Sequence, residues 1–231
     1  FEAERSFAAN AAHELRTPLA GAIAQAQRLR SETRDPAAKA RAEEIEVTLK
    51  RLTRLSERLM QLARAEGGRL RTDQSTDLGA IARIVVDDIE RTGAGGRIVL
   101  TLPQAAVLSD LDPDAFGILC RNLVENALRH GDQTAPVEVT LTADGRLTVA
   151  NEGLVVPRAA LDRLTTRFER AHASTDGSGL GLAIVAAIAD RIESPLLLES
   201  PRPGASSGFQ ASIKLPVERP GPAGRGTVHK E

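Results

Sequence analysis

A single cysteine, Cys120, stands in 231 residues, so neither a disulfide framework nor a thiolate metal cluster can be built. No apolar run approaches the roughly 20 residues needed to cross a bilayer, and the first residues do not read as a signal peptide. Charge of one sign is missing too. Thirty basic residues against 31 acidic ones leave a formal net charge of −1, which removes the broad electrostatic case for nucleic-acid binding. There are no internal repeats. What is present is ordinary globular composition, 42% hydrophobic and 26% charged, at a length that allows one large domain or two small ones. The expectation is a soluble protein of a reducing compartment or a fragment of one, and the absence of an initiator Met at Phe1 favours the fragment.

The pattern changes along the chain. Over residues 1–68, apolar side chains recur at Ala8, Ala12, Leu15, Leu19, Ala22, Ala26 and Leu29, alternating steps of four and three, and again at Ile45, Leu49, Leu52, Leu55, Leu59 and Leu62. These are heptad seams on two helices, with Asp35-Pro36 as the turn between them. Two helices with one stripe each cannot enclose a core, so this hairpin is expected to pair with its own copy as a dimeric four-helix bundle. Gly67-Gly68 marks the change to a second unit, residues 69–217, of mixed pattern. There Thr76 or Asp77 caps a helix to about 91, and residues 97–102 alternate as a strand. Asp112-Pro113 opens a helix to His130, and strands at 137–142 and 147–150 are joined by Ala143-Asp144-Gly145. An irregular stretch at 154–178 precedes a helix over 180–192 and strands at 196–200 and 209–215. The fold class is α plus α/β: a helical hairpin, then an α/β sandwich. Residues 218–231, rich in Gly and Pro with little to bury, are expected to be a disordered tail.

Several residues stand out against that frame. His13 sits beside the seam, with Glu14 adjacent, Thr17 one turn on, and a helix-interior Pro18 expected to bend the helix there. An exposed helical histidine alone is usually inert, but an interior proline costs roughly 3 kcal/mol and needs a reason. Asn122, Asn126 and His130 fall at i, i+4 and i+8 on one helical stripe, opposite the apolar face of Phe116, Cys120, Leu123 and Ala127. Asparagine is poor in helix interiors, so this is either a solvated face or a ligand face. Gly177-Ser178-Gly179-Leu180-Gly181-Leu182 lets backbone N–H groups approach an anion at the start of a helix. It is neither a Walker A loop nor a dinucleotide fingerprint.

Together these segments carry a resemblance. His13-Glu14-Leu15-Arg16-Thr17-Pro18-Leu19 resembles the phosphoacceptor box of bacterial sensor histidine kinases, Asn122 to His130 resembles the family's N box, and Gly177 to Leu182 its second glycine box. Val149 to Pro157 aligns with the first glycine box, with Asn151 where the family has Asp and Val155 where it has a second Gly. Residues 164–170 resemble the phenylalanine box, keeping Arg167, Phe168 and Arg170, with Thr165 in place of the first Phe. The resemblance covers about residues 1–216 and implies an ATP-binding domain of the histidine-kinase, topoisomerase and chaperone type behind the hairpin.

The resemblance also assigns roles. His13 is phosphorylated on a ring nitrogen by ATP, Glu14 serves as base or orients the imidazole, and Thr17 positions water for dephosphorylating the partner. Asn126 holds Mg²⁺. Asn122, Arg129 and His130 complete the N box, and Asn151 and Gly153 meet the adenine. Arg167, Arg170, Gly177, Gly179, Leu180, Gly181 and Leu182 belong to the lid and phosphate cradle. The phosphoryl group then passes to an aspartate on a response-regulator receiver domain. Apart from the resemblance, Lys50, Arg51, Arg54 and Arg58 form a basic face on the second helix that is either a docking surface for that domain or, as is more common, simply solvated. No nucleic acid is implied, and a membrane only through regions this chain does not contain, making it the cytoplasmic portion of an inner-membrane-anchored sensor. The departures at 151, 155 and 165 keep open an alternative: a degenerate kinase acting as a scaffold or phosphatase module. Kinship to an ATPase of the same nucleotide fold, without a phosphoacceptor hairpin, is the remote rival.

Overall fold

Two long helices come first in the computed structural model, which describes residues 2–67, 69–167 and 179–218, with the backbone alone for residues 2–13 and 94. Helix α1 (Glu2–Glu32) runs through Pro18 without a break in its assignment. Helix α2 (Pro36–Gly67) starts where the Asp-Pro pair predicts, because Asp35 Oδ1 accepts the Ala37 N–H at 2.9 Å and proline occupies the first helical position, where no N–H is needed. The two seams divide their labour. Ala26 and Ala42 are buried between α1 and α2, whereas Leu15, Leu29, Ile45, Leu52 and Leu59 remain exposed on the single chain. One charge is buried with the alanines. Glu46 accepts from Gln27 Nε2 at 2.9 Å, lies 2.6 Å from Lys50 Nζ and 3.2 Å from Arg30, and those partners hold its carboxyl below the usual range.

The rest of the chain is a sheet covered on one face by helices. Strand β1 (Arg71–Asp77) leads into α3 (Leu78–Ile89), capped by Asp77 Oδ1 on the Gly79 N–H at 2.9 Å, and a wide helical turn follows over Glu90–Ala94. Then come β2 (Ile98–Thr101), β3 (Leu108–Leu111), α4 (Pro113–His130), β4 (Val137–Leu141) and β5 (Arg146–Asn151). Helices α5 (Arg158–Leu161) and α6 (Gly181–Arg191) and strands β6 (Leu197–Glu199) and β7 (Phe209–Lys214) complete the order. The five-stranded sheet runs β2-β4-β5-β7-β6, with β2 and β4 parallel and the other pairs antiparallel. The β4–β5 turn needs its glycine: Gly145 has φ +85°, and a Cβ there would lie 2.9 Å from the Leu215 carbonyl.

Two strands escape the sequence reading. β1 and β3 form a separate antiparallel ribbon, tied by Arg71 Nη1 to both oxygens of Asp110 at 2.6 and 2.8 Å. The seven residues of β1, all polar, carry no apolar alternation to announce a strand. The stretch read as irregular also contains a short helix, α5. Residues 168–178 and 219–231 lie outside the described residues, and the expected tail with them.

The apolar core does not stop at the expected boundary. Leu62 and Ala65 of α2 and Leu70 belong to the same buried cluster as Phe116, Leu119 and Leu123 of α4 and Ile184 and Ile188 of α6. The C-terminal turns of the hairpin are therefore packed into the second unit. Phe116 is fully buried at the centre of that cluster. Phe116→Ala should lower unfolding free energy by about 3–5 kcal/mol in a denaturant titration, and a loss under 1 kcal/mol would show that this centre is not tightly packed.

Candidate active site

Helix α4 organises the site. Asp112 caps it, accepting from the Ala115 N–H at 2.8 Å, and its apolar side goes into the core. Asn126, on the polar side, is half-buried and makes no side-chain hydrogen bond to another described residue. Arg129 and His130 lie exposed in the last turn, which closes with the Gly131 N–H donating to the Ala127 carbonyl at 2.9 Å. Cys120 faces the core, and burial pushes its thiol up to about 12, so it is no nucleophile near neutral pH.

Two glycine segments meet this helix. At the end of β5, Asn151 is 4% exposed, and its Nδ2 donates to the Glu152 carbonyl at 2.9 Å. A Cβ on Gly131 would stand 3.0 Å from the Asn151 side chain, and one on Gly153, which takes φ +150°, would lie 3.5 Å from the His130 carbonyl. The ends of β5 and α4 therefore abut, which only small residues permit. On the other side, Gly179 takes φ +67°, and Gly181 opens α6 with no side-chain cap on its N–H groups. A Cβ on Gly181 would lie 3.4 Å from Asn122 Oδ1. Leu180 and Leu182 are buried, so they can meet a ligand only through their backbone. Nearby, the Thr134 hydroxyl and N–H hold the Asp132 carboxyl below its usual range.

The structure thus brings Asn126, Arg129, His130, Asn151, Gly153, Gly179 and Gly181 around one helix. The cradle suits a nucleotide: an uncapped helix start for anionic oxygens, small residues where two segments close, and one buried amide. Among the described residues no group of three His, Cys, Asp or Glu could hold a metal ion. A hard cation beside Asn126 would need phosphate and water oxygens to complete its shell, as Mg²⁺ accepts. Arg170 and Gly177 lie outside the described residues, as do Phe168, His172, His229 and the side chain of His13. Glu14 and Thr17 are exposed on α1, where Arg16 reaches within 4.0 Å of Glu57 on α2.

Other expected site residues are engaged elsewhere. Asn122 is 1% exposed and faces α2: its Nδ2 donates to the Ile118 carbonyl at 2.8 Å and to Gln61 Oε1 at 3.3 Å, and its Oδ1 accepts from Arg58. The second arm of the Arg58 guanidinium pairs with Glu125. Arg58 is therefore committed to α4 and is not part of an open basic face for docking. Arg167 likewise pairs with Glu66 of α2, and Arg191 Nη1 donates to the Glu66 carbonyl at 2.6 Å. Gln61, Glu66 and the true partners of Arg58 were not legible, because the bonds that matter connect positions more than 60 apart in sequence.

Residues 3–68 match the model of the His Kinase A (phospho-acceptor) domain, and residues 111–219 match that of the histidine kinase-, DNA gyrase B- and HSP90-like ATPases. The chain belongs to the sensor histidine kinases. Among its relatives, sensor protein QseC of Escherichia coli K12 is 36% identical over 191 residues, covering 80% of this chain and 42% of QseC. Sensor protein kinase PmrB of Pseudomonas aeruginosa is 33% identical over 227 residues, covering 95% of this chain and 47% of PmrB. The chain thus spans less than half the length of these relatives. Full-length ShkA in complex with AMPPNP shares the fold at TM-score 0.69 and 21% identity, over 92% of this chain and 46% of ShkA. The histidine kinase AdeS of Acinetobacter baumannii does so at TM-score 0.57 and 21% identity, over 90% of this chain and 98% of AdeS.

In this sensor-kinase segment the phosphoacceptor-bearing hairpin and the nucleotide fold are bonded to each other through Arg58. Arg58→Ala leaves Asn122 and Glu125 without that partner and should loosen the joint at 67–69. Limited trypsin digestion should then cut at Arg64, Arg69 or Arg71 several-fold faster than in the wild type. An unchanged cleavage rate would mean that apolar packing alone holds the joint.

Proposed function

We propose that this chain is the catalytic portion of a dimeric sensor histidine kinase that phosphorylates its own His13 from ATP. The observation that carries the reading is the convergence on α4 of Asn126, the buried Asn151 amide and the uncapped start of α6, in a chain whose other unit bears the His13 helix. A neutral imidazole nitrogen of His13 attacks the γ-phosphorus in line, an N–P bond forms as the bond to the ADP oxygen breaks, and Glu14 receives or holds the proton of the other ring nitrogen. The N–H groups around Gly179–Gly181 would meet the phosphates, Asn126 would hold Mg²⁺, and Asn151 would receive the adenine. Bound Mg²⁺ would supply charge neutralisation at the phosphates. The phosphoryl group then moves to a carboxylate oxygen of an aspartate on a response regulator, and Thr17 orients the water that hydrolyses that aspartyl phosphate to aspartate and inorganic phosphate. The segment works at the cytoplasmic side of a membrane anchored through regions outside this chain.

The copy that completes the bundle is argued from the seam. Leu15, Leu29, Ile45, Leu52 and Leu59 lie exposed in heptad register, an apolar stripe that a second hairpin would bury. Leu52→Lys should shift sedimentation equilibrium from dimer to monomer, and a variant that stays dimeric would move the interface elsewhere.

The reaction is tested with γ-labelled ATP and Mg²⁺ on the wild type and His13→Ala. The expected label is acid-labile, base-stable and absent from His13→Ala. A chain that binds no adenine nucleotide and takes no label would overturn the kinase reading in favour of a scaffold, the alternative that Val155 and Thr165 keep in view.

A further inference from the structure

The two units meet at the level of the phosphoacceptor box. Arg16 on α1 lies 4.0 Å from Glu57 on α2, and Gln27 donates to Glu46 at 2.9 Å, so the antiparallel register sets residue 13 level with about residue 60. Arg58 and Gln61 stand at that level, and both bond to Asn122 on α4. Asn122 in turn adjoins the phosphate cradle, since a Cβ on Gly181 at the start of α6 would lie 3.4 Å from its Oδ1. One guanidinium of the hairpin is therefore a single side chain away from the uncapped helix start at which an anion is stabilised.

That charge has a use in the cradle. Mg²⁺ cancels only about half of a triphosphate's negative charge, and transfer of the γ-phosphoryl group relies on cations at its oxygens. Arg121 is held by Asp88 at 2.5 Å, Arg167 by the Glu66 carboxylate and Arg191 by the Glu66 carbonyl at 2.6 Å. Arg58 sets one arm on Asn122 and the other on Glu125, the residue before Asn126. A carboxylate and a phosphoryl group offer a guanidinium the same thing, paired oxygens that accept two parallel N–H donors. Glu125 therefore marks a place where an anion fits Arg58.

We propose that Arg58 is a catalytic residue of the transfer. It exchanges Glu125 for the oxygens of the γ-phosphoryl group while keeping Asn122, and so neutralises charge as the phosphoryl group passes from ADP to His13. This rests on the nucleotide reading above and adds a residue to it. No covalent bond to Arg58 forms or breaks in the step, and the guanidinium stays protonated throughout. Because Arg58 rides on α2, its charge reaches the nucleotide only when the hairpin does, and a nucleotide held away from the hairpin lacks it.

The test compares full chains of wild type, Arg58→Ala, Arg58→Lys and Glu125→Gln. It reads calorimetric binding of ADP and of the ATP analogue AMPPNP with Mg²⁺, and the rate of labelling from γ-labelled ATP. Arg58→Ala should bind ADP within about twofold of wild type, bind AMPPNP roughly tenfold more weakly, and label about a hundredfold more slowly at saturating ATP. Arg58→Lys should recover part of that rate, having the charge without the fork. Glu125→Gln breaks the same ion pair but leaves the guanidinium, and should label at least as fast as wild type. Labelling of Arg58→Ala at the wild-type rate or faster would overturn the proposal and make the contact a restraint. Equal losses of ADP and AMPPNP affinity would overturn it too, as would a Glu125→Gln rate as low as that of Arg58→Ala, since either makes the arginine structural. If Arg58→Ala does not fold, Arg58→Lys and Glu125→Gln decide, and equal labelling rates in these two overturn the proposal. Failure of wild type to bind either nucleotide would instead sink the nucleotide reading.

Discussion

One guanidinium joins the two units. Arg58 leaves α2 with its side chain 17% exposed, places one arm on Asn122 and the other on Glu125, and so bonds the phosphoacceptor hairpin to the helix around which the nucleotide cradle is built. A charge so far removed from water needs partners, and a buried amide oxygen and a carboxylate supply them. Around this clasp lie Leu62 and Ala65 in the shared core, and Glu66 receiving Arg167 and Arg191. Rotation of the second unit about the joint at 67–69 would have to break these bonds or carry α2 with it. On the function proposed above, in which a bound nucleotide is brought to His13, the clasp is a natural control point.

Much of the fold was legible because local chemistry and global packing agree. Asp77 and Asp112 announce helices that they then cap, and Asp35-Pro36 starts α2. Gly145 sits where the β4–β5 turn needs a positive φ. What failed had no local signal. β1 is a strand because β3 pairs with it, and β3 is four residues between longer segments. The heptads of α2 announced a helix and a seam, yet could not tell which of its side chains would face a second domain. Gly67-Gly68 marked a change of unit, and only the folded chain shows leucines on both sides of it in one cluster.

The site divides along the same line. Glycine segments and asparagines placed on α4, β5 and α6 could be found from type and spacing, since close approach and uncapped N–H groups are properties of those residues themselves. The occupation of Asn122 by α2 could not, because an asparagine on a helical stripe looks the same whether it faces a ligand or an arginine. Asn151 is instructive in the opposite sense. Read against the family it is a departure, yet its amide is engaged, Nδ2 donating to the Glu152 carbonyl.

The bond between Arg58 and Glu125 across the two units can be measured by a double-mutant cycle. Unfolding free energies of wild type, Arg58→Ala, Glu125→Ala and the double variant would give the coupling between them. Non-additivity of about 1–3 kcal/mol is expected, as for hydrogen-bonded, half-buried charged partners. Additive losses, with coupling near zero, would contradict it and leave the hairpin held to the nucleotide fold by apolar packing alone.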